Sequence, residues 1–468
     1  MLSYIFDENS GTPLYEALYQ YIRSDIISGK IRPNQKLPSK RSLAENLHVS
    51  INTVSAAYDT LKAEGYIRSE ERKGYFAEDL SGYLVKKPAR KNKPSWDQEE
   101  DEQEWYLDFK ANALSVNLFP FNIWNRYQRE TMLMDPAILG RPLPYNGLYE
   151  LRCAIADMLR DNRGMDVDPR QIVIGAGSEY LYMRIMQLLG KRSVLAVEDP
   201  GYQKFSIIAQ SLGQTVIPIS VDDKGMDISA LRKSDAMAAH ISPNAHFPTG
   251  VIMPVSRRLE LFWWLSGEKD RYCIEDDYDS EFRFWNRGML PLYAENVQDR
   301  IIYMNTFTKT VVPSLRISYM VLPWRLMDRY EKTQSFYSCT VSTMEQYSLA
   351  RFIKEGKYEY HVQFMRNFYR KYRDTVLTAI RNSKIGKKAE IIEHNAGTHF
   401  LLRIRTDLSK EEAARRGMEE GLALSFFSDY FYRDYREKGC CTLVINYAAI
   451  EEKKLQGLIE RLERIFSL

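Results

Sequence analysis

The sequence predicts a chain of two folded parts: a small helical domain with a β-hairpin, then a large α/β domain on a mostly parallel, doubly wound sheet. Three observations predict it. Apolar residues recur at helical spacing in three short stretches before residue 65. A charged, proline-bearing segment without apolar periodicity follows over about 79–106. From about 107 to 468, short apolar runs alternate with helical patterns. At 468 residues the chain is also too long for one ordinary core.

The first domain spans 1–78, its pattern starting near residue 10. In "GTPLYEALYQYIRSDIISGKI", Leu14, Leu18, Ile22 and Ile26 repeat every four residues and Gly29 stops the helix. Ser39 caps a short helix whose Leu43, Ala44 and Leu47 face inward. Ser50 caps the next, where Val54, Ala57, Tyr58 and Leu61 form one stripe. "YIRSEERKGYFAE" then reads as a hairpin around a charged turn with Gly74. Two short helices joined through "HVS" and followed by a hairpin are the outline of a winged helix-turn-helix. The second helix of such a pair enters the DNA major groove by its N-terminus. Its short polar residues there, Ser50, Asn52, Thr53 and Ser55, are candidates for base and phosphate contacts. Lys40 and Arg41 open the preceding helix within reach of a phosphate or guanine edge, and Arg72 and Lys73 occupy the wing tip.

The segment 79–106, with "VKKPARKNKPSWDQEEDEQEW", passes from basic to acidic and reads as a flexible linker. In the large domain, "QIVIGAG", "SVLAVED", "TVIPIS", "RYCIEDDYD", "RIIYMNTF" and "ISYMVLP" are the expected strands. From about 325 the pattern turns helical. It becomes mixed around "AGTHFLLRIR" and "CCTLVINYAA", as in a smaller α+β subdomain over 325–468.

Composition excludes several classes. The chain is 44% hydrophobic with a net charge of +3, which rules out a uniformly basic protein and leaves room for a basic face. No run of about 18 apolar residues predicts a membrane span, and the N-terminal stretch lacks the pattern of a secretory leader. Five cysteines without C-x-x-C spacing suit a reducing cytoplasm. The six histidines show no metal-ligand spacing, so no metal site is expected.

Four pieces of the large domain fit one chemistry. In "VIGAGSEYLYMRIM" the amides of Gly177, Ser178 and Glu179 open a helix after a strand, a site that favours phosphate. "EDPGY" offers the Tyr202 ring at a strand's carboxyl edge, where ligands of open α/β sheets bind. In "CIEDDYDSEF", alternation puts Asp276 and Tyr278 on one face and Glu275 and Asp277 on the other. A carboxylate and a phenol there suit a pyridinium nitrogen and ring oxygen. In "NTFTKTVVPSLRISY", Lys309 offers an amine for a Schiff base, Arg316 a phosphate clamp, and Thr306 or Thr308 a hydroxyl donor.

The N-terminal stretch resembles the winged-helix domain of the GntR family of bacterial transcription factors. The resemblance rests on "IISGKI-x-P", "LPS-x-R-x-LA", "VS-x-NTV" and "AY-x-L-x-AEGYI". It implies operator contacts by Arg41, Ser50, Asn52 and Thr53. The large domain resembles the fold-type I aminotransferases, and the whole chain, over about 10–465, is similar to the MocR/GabR subfamily of GntR regulators. That resemblance implies pyridoxal 5′-phosphate (PLP) as cofactor, with Lys309 its Schiff-base lysine, Asp276 at the pyridine nitrogen, Tyr278 at the ring oxygen and Tyr202 on the ring. Gly177, Ser178, Thr306, Thr308 and Arg316 would hold the phosphate. It further implies a homodimer and an amine or amino-acid effector.

The pattern departs from the family in places. "PYNGLYELR" is shortened, with Tyr145 the aromatic expected to reach a partner subunit's cofactor. "SPNAHFPTG" replaces a Ser-His-Gln run, leaving Asn244 and His246 as candidate effector contacts. Members that sense γ-aminobutyrate grip its carboxylate with two arginines. Here the first position is Lys204, a point charge without the arginine fork, and "EEGLALSFFSDYF" offers no second arginine. Another amine, or PLP itself, is therefore expected as effector. The same lack weighs against turnover. The rival reading is an active aminotransferase with an accessory DNA-binding module.

Overall fold

The computed structural model describes residue 4 and residues 13–80, 105–110, 116–268, 270–279, 281–284, 289–295, 299–394 and 397–467. The chain divides into two compact units, Met1–Gln103 and Glu104–Leu468. Most of the expected linker, 81–104, lies outside the described residues.

In the first unit, α1 (Leu14–Ile27), α2 (Lys40–Leu47) and α3 (Ile51–Ala63) precede a two-stranded hairpin, β1 (Ile67–Glu70) and β2 (Gly74–Ala77). The stripes close on one core in which Leu18, Ile22, Val54, Ala57, Tyr58 and Leu61 have no exposed surface. Leu14, predicted with them, begins α1 and stays half exposed. Serines cap both short helices as expected: Ser39 accepts from the Ser42 amide and Ser50 from the Thr53 amide, each at 3.1 Å. A cap of this kind contributes about 1 kcal/mol.

The large unit is built on an eight-stranded sheet. Its strands are β3 (Ile172–Gly175), β4 (Val194–Asp199), β5 (Thr215–Asp222), β6 (Gly225–Met226), β7 (Ala238–Ile241), β8 (Tyr272–Asp276), β9 (Ile301–Thr306) and β10 (Ser318–Val321). The spatial order is β3-β10-β9-β8-β7-β4-β5-β6. The five strands from β9 to β5 are mutually parallel, while β10 runs antiparallel to both neighbours and β6 is a short antiparallel edge. Six of these strands are the six predicted runs. The strand missed between β8 and β4 is β7, "AAHI", too short and too rich in small residues to stand out.

Parallel strands end at a common edge. Asp276 is paired in register with Met304, so β8 ends two residues before β9 reaches Thr306. The Lys309 turn follows directly, and β10 returns through a hairpin that seats Ser318 opposite Thr306. α4 (Ser178–Leu189) and α5 (Gln203–Ser211) leave this edge after β3 and β4.

A second sheet, β11 (Ala389–Ile392), β12 (His399–Arg405) and β13 (Cys440–Asn446), is antiparallel. It packs on α6 (Lys357–Asn382) and the helix Glu452–Ile465 around Phe400, Leu402, Leu443 and Leu458. The helices Trp324–Gln334 and Thr343–Lys354 bury Leu326, Tyr330, Leu349 and Phe352 among the cores of the large sheet. The second core therefore begins later than the expected 325, with Met365 on α6, and takes in Leu107, Phe109 and Phe282 from outside that range.

Candidate functional site

In the first unit, Ser50 is occupied by its cap and its hydroxyl also lies 2.8 Å from that of Thr53. Asn52 is exposed beside them, and the Arg41 side chain is 82% exposed and pairs with Glu45 at 3.4 Å. Lys40 is placed differently. Its Nζ donates to Ser55 Oγ at 2.7 Å and to Asp59 at 3.1 Å, and it lies 5.5 Å from the centre of the Tyr75 ring. Burial works against this charge, but Asp59 and the Tyr75 phenol outweigh it and raise the Lys40 pKa. Lys40 and Ser55 thus tie α2, α3 and the wing together. At the wing tip Arg72 is exposed with φ +59°, and Lys73 pairs with Glu70 at 3.3 Å.

In the large unit, a cavity of about 410 Å³ opens where the parallel strands end. On its walls are Ser178, Glu179, Tyr202, Lys204, Asp276, Tyr278, Thr306, Thr308, Lys309 and Arg316, brought together from four sequence segments. At one end a hydroxyl chain runs from Ser318 to Thr306 (2.8 Å) and on to Thr308 (2.7 Å), with Ser178 3.5 Å from Ser318. The N-terminus of α4 faces this chain. Gly177, its cap, has φ +95° and ψ 159°, a region essentially reserved for glycine. Arg316 lies across it: a Cβ on Gly177 would sit 2.6 Å from the Arg316 Nη2 atom. Backbone amides, three hydroxyls and a guanidinium converge there, a donor set for a dianion. Glu179 balances the charge, pairing with Lys204 and, at 3.3 Å, with Arg316.

The middle of the cavity is flat and aromatic. Tyr202 meets Phe205 and Phe247 edge to face, at 5.4 and 6.3 Å. Asp276, 9% exposed, points in from the end of β8 with His240 Nε2 3.7 Å behind it. Tyr278 shares that wall, as alternation predicts, but its hydroxyl donates to the Ala245 carbonyl at 3.1 Å, a partner the sequence does not reveal. Glu198, also on the wall, is a second carboxyl. Burial, with the charge of Asp276, pushes it up to about 8 despite the Ser242 amide at 3.0 Å. Its surroundings therefore favour the neutral form.

The opposite face of β8 carries charge inward. Asp277 is held by Arg163, by Arg283 at 3.3 Å and by Tyr303 at 2.9 Å. Burial opposes its ionisation, but the two arginines outweigh that and hold its pKa below the usual carboxylate value. Asn244 belongs to this cluster, donating to Asp277 at 2.9 Å and accepting from Arg258 at 2.8 Å, so its amide is spent on packing and lies off the cavity wall. His246 is likewise off the wall, bonded to Thr249 at 2.7 Å and driven down to about 3 by burial. Tyr145 packs on Tyr330 with ring centres 6.0 Å apart and does not line this chain's own cavity.

Lys309 lies at the cavity's inner end. Its Nζ is 2.7 Å from Asp279 Oδ1, 3.5 Å from Thr398 Oγ1 and 4.9 Å from the centre of the Tyr278 ring. Asp279, Thr398, Ser318 and Glu198 are the residues the sequence reading missed. Asp279 stands in the same acidic run as Asp276 and Tyr278, a signal that was there to be found. Thr398 comes from the second sheet and carries no local signal.

The residues present fit PLP: a glycine cradle crossed by an arginine, an aromatic wall, a buried carboxylate and a lysine amine occupy one cavity. PLP supplies an aldehyde that condenses reversibly with amines, and an electron sink.

Comparison with known proteins agrees with this division of the chain. The model of bacterial regulatory proteins of the gntR family matches residues 14–76, and that of aminotransferase class I and II matches residues 114–462. The chain is 33% identical to the uncharacterized HTH-type transcriptional regulator YdeL of Bacillus subtilis, over 97% of each chain. It is 28% identical to the probable rhizopine catabolism regulatory protein MocR of Rhizobium meliloti, over 99% of this chain and 95% of that one. With the pyridoxine biosynthesis transcriptional regulator PdxR of Corynebacterium glutamicum it shares 27%, over 98% and 97%. Among solved structures, an archaeal alanine:glyoxylate aminotransferase superposes with a TM-score of 0.69 over 77% of this chain and 90% of its own. At 20% identity that likeness speaks for the fold alone.

Proposed function

The chain belongs to the MocR-type transcription regulators, with a gntR-family domain joined to a domain of the aminotransferase class I and II family, and on that premise we propose that it binds operator DNA through residues 1–78 and senses PLP, or an amine that competes for it, through the 410 Å³ cavity. The observation that carries this reading is the meeting of Lys309, Asp276, Tyr202 and the Gly177–Arg316 cradle in one cavity of a chain that begins with a DNA-binding fold. Lys309 holds the cofactor through its ε-amine. Asp276 presents a carboxylate to the pyridine nitrogen, and Tyr202 covers the ring. Ser178, Thr306, Thr308 and Arg316 bind the phosphate. An effector amine displaces Lys309, and the released side chain changes what the large domain can pair with. That difference in contacts biases the DNA-binding unit. The protein works in the cytoplasm as a homodimer, so that two winged helices read two half-sites.

On the DNA side, Arg41, Asn52 and Arg72 are the reading side chains, with Ser50 and Thr53 holding the helix start. Lys40 is structural. Arg41→Ala is expected to weaken operator binding by about 1–3 kcal/mol, the worth of one bidentate base contact, with unchanged melting. Lys40→Ala is expected instead to lower the melting temperature of the winged helix by the loss of two hydrogen bonds, about 1 kcal/mol each. A titrated gel shift at fixed salt and a thermal melt separate the two. Equal losses of affinity without loss of stability would put Lys40 on the DNA.

A second reading, an active PLP-dependent aminotransferase with an accessory DNA-binding module, is favoured by the completeness of the Lys309 and Asp276 set. Multiple-turnover transamination of common amino acids decides between them. The regulator reading expects none. Sustained turnover that vanishes in Lys309→Ala would establish the enzyme.

A further inference from the structure

Asp279 has no assigned task, yet it is the group nearest the Lys309 nitrogen. Its Oδ1 lies 2.7 Å from Nζ, and the carboxylate is 1% exposed. Its Oδ2 accepts from the Thr398 amide and hydroxyl, both at 3.3 Å. Thr398 has no exposed surface and leads into β12 of the second sheet. Gly397 keeps this corner tight: it has φ +78°, and a Cβ there would come within 3.1 Å of Oδ2. The two oxygens thus do different things, one fixed to the second sheet and one left for the lysine.

Resting on the reading that Lys309 captures PLP, we propose that Asp279 is the proton acceptor and positioning carboxylate for Lys309. The Lys309 ammonium gives a proton to Asp279 Oδ1, leaving a neutral amine and a carboxylic acid. The amine attacks the aldehyde carbon, a C–N bond forms and water departs. When an incoming amine displaces Lys309, the proton returns from Oδ1 to Nζ and the ion pair re-forms. Because Oδ2 is bound to Thr398, the pair then joins Lys309 to the second sheet, and its presence or absence reports whether the lysine is engaged.

The groups facing Asp279 are Lys309, Tyr278, His399 and Tyr447. Burial holds His399 down at about 4 and lifts both phenols well above their ordinary range. None of these three titrates near neutrality. Glu198 does, at about 8, but it acts equally on wild type and variants.

The test follows the rate of PLP capture by full-length protein from pH 6 to 9, by absorbance, with borohydride fixation and mass spectrometry to locate the adduct. Asp279→Asn keeps the shape and an acceptor for Thr398 but cannot take the proton. It is expected to capture PLP at least tenfold more slowly and with an altered pH profile. Thr398→Val, which leaves the carboxylate and the Thr398 amide on Oδ2 but removes the hydroxyl donor, is expected to slow capture less and to keep the wild-type profile, so the proposal stays testable should the Asn variant fold poorly. Fast wild-type capture at Lys309 with Asp279→Asn equally fast or faster at every pH overturns this inference alone. Thr398→Val altering the profile overturns it as well. A wild-type protein with no fixed Lys309 overturns both it and the reading beneath it.

Discussion

Replacing Lys309 by alanine is expected to abolish covalent capture of PLP and to unfold the large domain more easily, two effects with separate causes. The first is chemical, because among the described residues the only other lysine on the cavity wall is Lys204, which sits on Glu179 at the phosphate side. Loss of the bond leaves only the phosphate and ring contacts. PLP affinity is expected to fall by roughly 100-fold or more, which is about 2.7 kcal/mol. The second effect is electrostatic. Asp279 is 1% exposed, and among the described residues Lys309 is the cation paired with its Oδ1. Breaking a buried pair from one side costs about 3 kcal/mol, because the remaining charge is left unpaired. Adding Asp279→Asn to Lys309→Ala should therefore recover most of the stability and none of the capture. A melt of the three variants, together with borohydride fixation, reads both effects. An alanine variant as stable as wild type would mean that the pair is open to water.

The second large effect belongs to Gly177. An alanine there keeps every polar group of the phosphate cradle, so intuition would pass it as mild. Geometry disagrees. The residue has φ +95° and ψ 159°, which costs a side-chain-bearing residue about 1–3 kcal/mol in backbone strain. Its Cβ would also stand 2.6 Å from the Arg316 Nη2 atom, so the guanidinium has to move off the cradle. Losing one charge-assisted contact to a phosphate is worth about 1.5–3 kcal/mol, or roughly 10- to 100-fold in PLP affinity. In an Arg316→Ala background the same glycine change should cost far less affinity, since the clash has gone. Additive losses in that double-mutant cycle would show that Gly177 acts only through the backbone.

Much of this was legible in the sequence, for definite physical reasons. The helices of the first unit carry serine caps and four-residue apolar stripes, both local signals. The strands that end in Asp276 or lead directly to Tyr202 and Lys309 are buried on both faces and read as apolar runs ending in polar residues, the signature of a parallel sheet's carboxyl edge. The bonds of Lys40 to Ser55 and to Asp59, nineteen positions on, were not legible, because a lysine at a helix start looks solvated until the fold brings the two helices together. Asn244 and His246 are, by sequence, candidate effector contacts. In the fold they are drawn into the Asp277 cluster and onto Thr249, contacts made by tertiary packing. Thr398 was invisible because its meaning is a contact with Asp279 across 119 residues.

The regulator reading stands or falls on whether the cavity and the DNA-binding unit are coupled through Lys309. The measurement is operator affinity by fluorescence anisotropy at fixed salt, with and without saturating PLP, for wild type and for the Lys309→Ala, Asp279→Asn double variant, which is expected to keep the fold. A severalfold change in wild-type affinity on adding PLP, absent in the double variant, is the predicted result. An operator affinity indifferent to PLP and to candidate amines in the wild type, beside steady transamination, would contradict it.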